Sequence, residues 1–310
     1  MSDTQQFLEP LPLNYSLAKR KFRILVFWLL VFLDSVVFPI GLYYLLTRCT
    51  TWSTTTIFSI ITMTLFGTFV TESLQRSWSL WRKNSSCRVP NAGRYYFDFT
   101  HWNVLVSWVI IIAELVVGTI PDPPWMRMLA MPVPSLFFIF AIEVLIFEAL
   151  YIFKRPTLFR ISSVPKGDLT RPALYPFLED IVAVDGKGGT GFRARLDQRY
   201  KASPPFRGML HRLTMLWVIP QMLVAGGTLA GIVITDHELA YTLGWTVPAI
   251  WAGIWAVVMV IWIRVELRRE KHYWRGVRLT QQLQREVEGI SETVDRTEEE
   301  ASNLMRFGGQ

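Results

Sequence analysis

Apolar residues along this chain fall into six blocks rather than at scattered positions. The blocks cover 24–46, 55–74, 99–120, 129–152, 213–235 and 243–263, each bounded by charges, prolines or turn residues. Each reaches the length of about 20 mostly apolar residues that a bilayer-spanning helix needs. In hydrocarbon every backbone N–H and C=O must find its partner inside the segment, so the blocks are predicted to be helices. The second block, rich in threonine, is the most polar of the six. Between and around them lie polar stretches: 1–23, a short 75–98 loop, a long 153–212 loop and a 264–310 tail. The pattern predicts an all-α polytopic membrane bundle with about six transmembrane helices. It divides into an N-terminal segment 1–23, a four-helix region 24–152, a loop or cap 153–212, a two-helix region 213–263 and a tail 264–310.

Charge fixes the orientation of this bundle. Of 32 Lys and Arg residues, all but Arg48 and Arg127 fall in the N-terminal segment, the 75–98 and 153–212 loops or the tail. The positive-inside rule then predicts both termini and both long loops in the cytosol. The net charge of +7 is thereby explained without a nucleic-acid partner, and membrane lipid is the expected contact of the basic loops. Composition agrees: 51% of residues are hydrophobic and 18% charged, against about 25% charged in soluble domains. Polar residues precede the first block, which is longer than the apolar core of a cleaved signal peptide, so it reads as a signal anchor. Cys49 and Cys87 fall on opposite sides of the membrane in this topology, which excludes a disulfide between them.

The chemistry-bearing residues are acids inside the spans. Asp34 sits at the centre of the first. Glu114 lies about 6 Å to the outer side of the third span's centre, and Glu143 about 3 Å to the inner side of the fourth's, at 1.5 Å rise per residue. A charged group at mid-bilayer costs about 2.5–3.5 kcal/mol on insertion scales, and intramembrane ionisable groups are functional by default. With no Lys or Arg at comparable depth, these acids are expected to face a shared interior and to keep their protons. Helix-to-helix hydrogen bonding is the plainer alternative for each. Glu72 and Glu148, near the cytosolic ends, are expected to reach water. Asn103, Ser107, Glu114 and Gly118 share a stripe of the third helix. Trp28, Phe32 and Phe38 surround Asp34, while Trp251, Trp255 and Trp262 share a face of the sixth span, where packing or lipid contact is the simpler role.

A neutral carboxylic acid in a dry site is a strong general acid, and aromatic faces stabilise cations. Together they suit acid-triggered cyclisation of a polyprenyl chain, in which an acid protonates an epoxide or alkene. Asp34, Glu114 and Glu143 are thus the candidate catalytic residues. Trp28, Phe38, Asn103, Ser107, Trp251 and Trp255 are the candidate substrate-binding residues. The expected ligand is a lipophilic prenylated small molecule, with no cofactor, no metal and no nucleic acid. EDIVAVD at 179–185 is not the Asp-rich magnesium motif of ionising prenyl enzymes. No H-E-x-x-H, G-x-S-x-G or clustered Cys/His spacing points to hydrolase or metal chemistry.

The layout resembles the small membrane-bound terpene cyclases of fungal meroterpenoid pathways, of the type that cyclises farnesylated phenols of the ascofuranone and ascochlorin kind. The shared features are length, helical spans and the embedded acids Asp34, Glu114 and Glu143. The stretch RPALYPFLEDIVAVDGKGGTGFRARLDQRYKASPPFR is similar to stretches of fungal integral membrane proteins. This resemblance implies an acid-initiated isomerase or lyase of secondary metabolism in the endoplasmic reticulum; it transfers no residue role position by position. A proton- or cation-coupled transporter using the same acids, and a non-catalytic scaffold, are the alternatives.

In the long loop, Gly186, Gly188 and Gly191 satisfy G-x-G-x-x-G after a strand-like IVAVD. The loop is too short for the βαβ unit of a dinucleotide site, so a glycine turn before the helix-like FRARLDQRYK is expected. Glu179, Asp180 and Asp185 are placed to pair with Arg193, Arg195 and Arg199 in a folded cap. An Asp98–His101 pair at i, i+3 reads as a helix start. In the tail, Leu279, Leu283, Val287, Ile290 and Val294 form an amphipathic helix, expected to dock on the loop and to be followed by the acidic run and a frayed end.

Overall fold

A computed structural model describes the backbone of residues 32–307, together with positions 12, 13, 15, 22, 26, 29 and 30. The described residues form an all-α bundle whose only β character is two isolated bridges in the long loop. Among the described residues, five helices are long and apolar enough to cross a membrane. Most of the first predicted span before residue 32 lies outside the described residues.

α1 comprises a π-helical stretch, Leu33–Gly41, running into an α-helix, Leu42–Cys49. Pro39 sits within the π-helical part, where its missing N–H breaks the regular i→i−4 ladder. α2, Thr54–Trp81, starts at Ser53, whose side chain accepts from the Thr56 N–H at 3.2 Å. It runs seven residues past the predicted apolar block, because no Gly or Pro stops it there, and so carries Arg76 out of the apolar layer. α3, Phe99–Thr119, is capped by Asp98, which accepts from the His101 N–H at 2.8 Å. The i, i+3 pair is the helix start that the sequence suggests. A single helical turn, Met126–Leu129, leads into α4, Pro132–Ile152, with proline at its first position.

The long loop folds as a cap. α5, Leu174–Asp180, continues through a π-helical turn, Ile181–Asp185, into α6, Gly189–Ala202. IVAVD is therefore helical, not a strand: with no neighbouring strand to pair with, its backbone bonds are satisfied locally. The glycine turn and the helix after it are as expected. The cap core of Tyr175, Leu196, Phe206 and Leu210 runs on into the bundle at Leu213 and Met259, which is how so short a segment is stabilised.

α7, Pro204–Ile234, packs mainly against α4 and against α8, His237–Phe307. Pro220 interrupts α7 and cannot donate to the Leu216 carbonyl one turn before it. Trp255 of α8 takes that place, its Nε1–H donating to the Leu216 oxygen at 3.0 Å. Close approach at the other end depends on Gly244: a Cβ there would lie 2.0 Å from the Ala130 carbonyl oxygen.

α8 holds 71 residues, about 105 Å at 1.5 Å per residue. Arg212 pairs with Glu266, Arg199 pairs with Glu270, and Ser203 donates to Glu270 at 2.9 Å. These contacts hold α8 against the cap as far as the buried Trp274. Beyond it the expected docking of the tail is absent. Leu279, Leu283, Val287 and Ile290 remain 61–65% exposed, and the helix continues through the acidic run to Phe307, the expected frayed end beyond it lying outside the described residues. Residues 264–307 contain no proline to turn the chain back onto the cap.

Candidate functional site

α3 and α4 run antiparallel and carry two of the nominated acids on their shared seam. The Asn103 amide of α3 donates to the Phe99 carbonyl at 3.1 Å and is the polar neighbour of the Glu143 carboxyl of α4. Farther toward the other end, Ser135 of α4 is the polar neighbour of Glu114 of α3. The Glu114 Oε2 atom is buried without a hydrogen-bond partner. Both acids are half-buried. Along α4 the two contacts are separated by about 12 Å at 1.5 Å per residue.

The nominated tryptophans lie elsewhere. Trp251 stacks on Trp255 at 5.8 Å and meets Trp217 and Phe137 edge-on at 5.6 Å. Gln221 of α7 donates to the Phe137 carbonyl at 2.9 Å. Residues 135 and 137 are about 200° apart around α4. Glu143 and Ser135 thus lie on the α3-facing side of α4, and Phe137 meets the aromatic wall on the side facing α7 and α8. Ser107 is half-buried on α3, and Phe38 is 41% exposed on α1. The side chain of Asp34, and Trp28 entirely, lie outside the described residues.

A second polar constellation sits where α2 and α3 meet the cap, on the face that the basic loops assign to the cytosol. Arg193 of α6, with no exposed side-chain surface, donates to Glu179 and Asp180 at 2.6 Å each and lies 3.6 Å from Asp98. Arg76 of α2 bonds Asp98 at 3.0 Å and also pairs with Asp185. Asp180 further accepts from the Ser162 hydroxyl at 2.6 Å and the Thr100 N–H at 3.1 Å. Four carboxylates thus share two guanidinium groups. Burial, reinforced by the nearby Asp98 charge, pushes the Asp180 carboxyl up to about 7. Burial likewise raises Glu179. Burial alone would lower Arg193, but Asp180 and Glu179 offset it and hold the guanidinium charged. Of the predicted cap pairs, Arg193 meets Glu179 and Asp180, Asp185 turns to Arg76, and Arg199 turns to Glu270.

Glu148 does not reach water as expected. It is completely buried, accepting from the Ala173 N–H at 2.8 Å and pairing with His211 Nδ1. The cap covers this end of α4, so the carboxylate is satisfied by protein. Cys49 and Cys87 are both free thiols. Among the described residues, no group of three or more His, Cys, Asp or Glu side chains is arranged to hold a metal.

Residues 2–274 match the family described as a domain of unknown function, DUF8766. The chain belongs to that family. The DUF8766 region takes in all the spans, the cap and α8 up to Trp274, where α8 leaves the packed body. The exposed distal part of α8 lies beyond it. Comparison with curated proteins and with solved structures found no match to this chain.

Proposed function

We propose that the protein is a membrane-bound terpene cyclase that protonates an epoxide or alkene of a lipophilic prenylated substrate, as the resemblance of its layout to fungal meroterpenoid cyclases implies. One observation carries the reading: Glu143, half-buried inside an apolar span, has the neutral Asn103 amide as its polar neighbour. A neutral amide beside a carboxyl leaves the protonated oxygen free to donate. Glu143 is assigned as the proton donor and Asn103 as its positioning partner. Glu114, with one oxygen unpartnered, is the second acid. The endoplasmic reticulum is the proposed compartment, as the membrane into which a positive-inside anchored chain is inserted. Microsomes carrying the protein should cyclise an epoxidised farnesyl phenol. Glu143→Gln should reduce the product at least about a hundredfold, within the range of a lost general acid. Full activity of a normally expressed Glu143→Gln protein rejects the assignment.

The stagger of the acids favours one further reading. Glu114, Glu143 and the Glu148–His211 pair occupy successive depths, about 12 and 7.5 Å apart along α4. That series suits a proton relay of a coupled transporter. Proton uptake into sealed vesicles, lost in Glu143→Gln while no cyclised product forms in the wild type, would select it.

A further inference from the structure

The cap places an unusual set of donors at the cytosolic end of α4 and α7. Glu148 is buried and already satisfied by the Ala173 N–H and by His211 Nδ1. That pairing assigns the Nδ1–H form of the imidazole, which turns Nε2 outward. The His211 side chain is 34% exposed. Tyr151, the penultimate residue of α4, has its ring 5.7 Å from the imidazole. Arg207 precedes His211 by one turn of α7, on the same face. The Tyr151 hydroxyl lies within electrostatic reach of both Glu148 and Arg207, and the Tyr200 hydroxyl within reach of Tyr151, Arg207 and Glu148. Burial pushes the Tyr200 phenol up to about 12, so it remains a donor at neutral pH. Arg171, whose guanidinium lies 4.8 Å over the Tyr200 ring, is already paired with Asp197.

The Arg207 guanidinium, the Tyr151 and Tyr200 hydroxyls and the outer His211 nitrogen thus lie near one another without a carboxylate partner of their own. The nearby acids are already used, Glu148 by Ala173 and His211 and Asp197 by Arg171 and Lys201. Two phenols fixed by ring packing, a guanidinium and an imidazole edge form a donor-rich cluster at the cytosolic end of α4 and α7. Guanidinium with hydroxyl donors is the chemistry that recognises a phosphate oxyanion, and anionic phosphates are concentrated at the cytosolic leaflet. We propose that Arg207, His211, Tyr151 and Tyr200 form a binding site for a phosphate monoester. This site is independent of the cyclase reading.

The test uses the full chain in phosphatidylcholine nanodiscs, with ring nitrogen-15 label in its four histidines and His211→Gln to assign the resonances. Dioctanoyl phosphatidic acid and inorganic phosphate are titrated in separate arms. The expected result is a saturable shift of the His211 nitrogens, with the other histidines unmoved. Arg207→Gln should weaken binding about tenfold or more, equivalent to about 1.4 kcal/mol. Tyr200→Phe, which keeps the ring, should weaken it several-fold. A response to phosphatidic acid alone identifies a lipid headgroup, and an equal response to phosphate identifies a free-anion site. Absence of a His211 shift in both arms, or an Arg207→Gln protein that titrates like the wild type, overturns the proposal.

Discussion

Replacing Arg193 by Met removes the one cation shared by Glu179 and Asp180 while keeping most of the side-chain volume. The guanidinium makes two hydrogen bonds of 2.6 Å in a site with no solvent exposure. Deleting one partner of a buried ion pair costs about 3–5 kcal/mol, because the remaining charges stay desolvated and unpaired. At 1.36 kcal/mol per factor of ten, local opening of the cap should become about 150- to 5,000-fold more frequent. Amide hydrogen exchange resolved by mass spectrometry reads this directly, since opening free energy sets the exchange rate of protected amides. Peptides across α5 and α6 should accelerate by that factor, and those in α7 near Ala225 should not. Arg195→Met, at an exposed position of the same helix, serves as the control. The wild-type cap should also respond to pH in a defined direction. Asp180 is raised in the fold to about 7, from about 3.9 in an unfolded chain. Its contribution is complete below that lower value and is lost as pH climbs through about 7. After correction for intrinsic exchange, the cap should therefore open more often at pH 8 than at pH 5. Exchange in Arg193→Met within threefold of wild type would show that the cluster contributes little and that the cap is held by its apolar core alone.

Gly244→Ala should lower the melting temperature or block assembly, since its methyl group meets the Ala130 backbone; thermal denaturation in detergent checks this against Gly253→Ala, where no atom lies within 4 Å. Trp255→Phe should cost about 1–3 kcal/mol by orphaning the Leu216 carbonyl, and Pro220→Ala, which restores an N–H to that carbonyl, should reduce the penalty in a double-mutant cycle. Deleting 279–310 should leave the melting transition of spans and cap within a degree or two, because the apolar side chains described there are exposed; a scaffold would lose its function by the same deletion, whereas a cyclase would keep its turnover.

Much of this architecture is legible along the chain because the forces that set it are local. Apolar block length, Asp98 before Phe99, the prolines at the starts of α4 and α7, and the acid–arginine content of the cap each act within a few residues. What escaped sequence reasoning depends on segments far apart in the chain. Nothing near Glu148 announces that Ala173 and His211 will enclose it. The reach of Arg76 to Asp98 and Asp185 follows only from α2 overrunning its apolar block. The split of acids and tryptophans onto opposite sides of α4 could be read in part from the 200° between positions 135 and 137, but which side meets α3 is set by packing. The exposure of the tail is not legible in the sequence because an amphipathic pattern specifies a face and not what covers it.

The Arg193 cluster has a consequence for biogenesis. Its members come from α2, from the cap of α3 and from two helices of the long loop, so it is completed only when the loop lies on the side where the α2–α3 hairpin holds Arg76 and Asp98. Inverting the whole chain would move both loops together and keep the cluster. Inverting the α2–α3 hairpin alone would deprive Asp185 of Arg76 and leave the loop's share of the network incomplete.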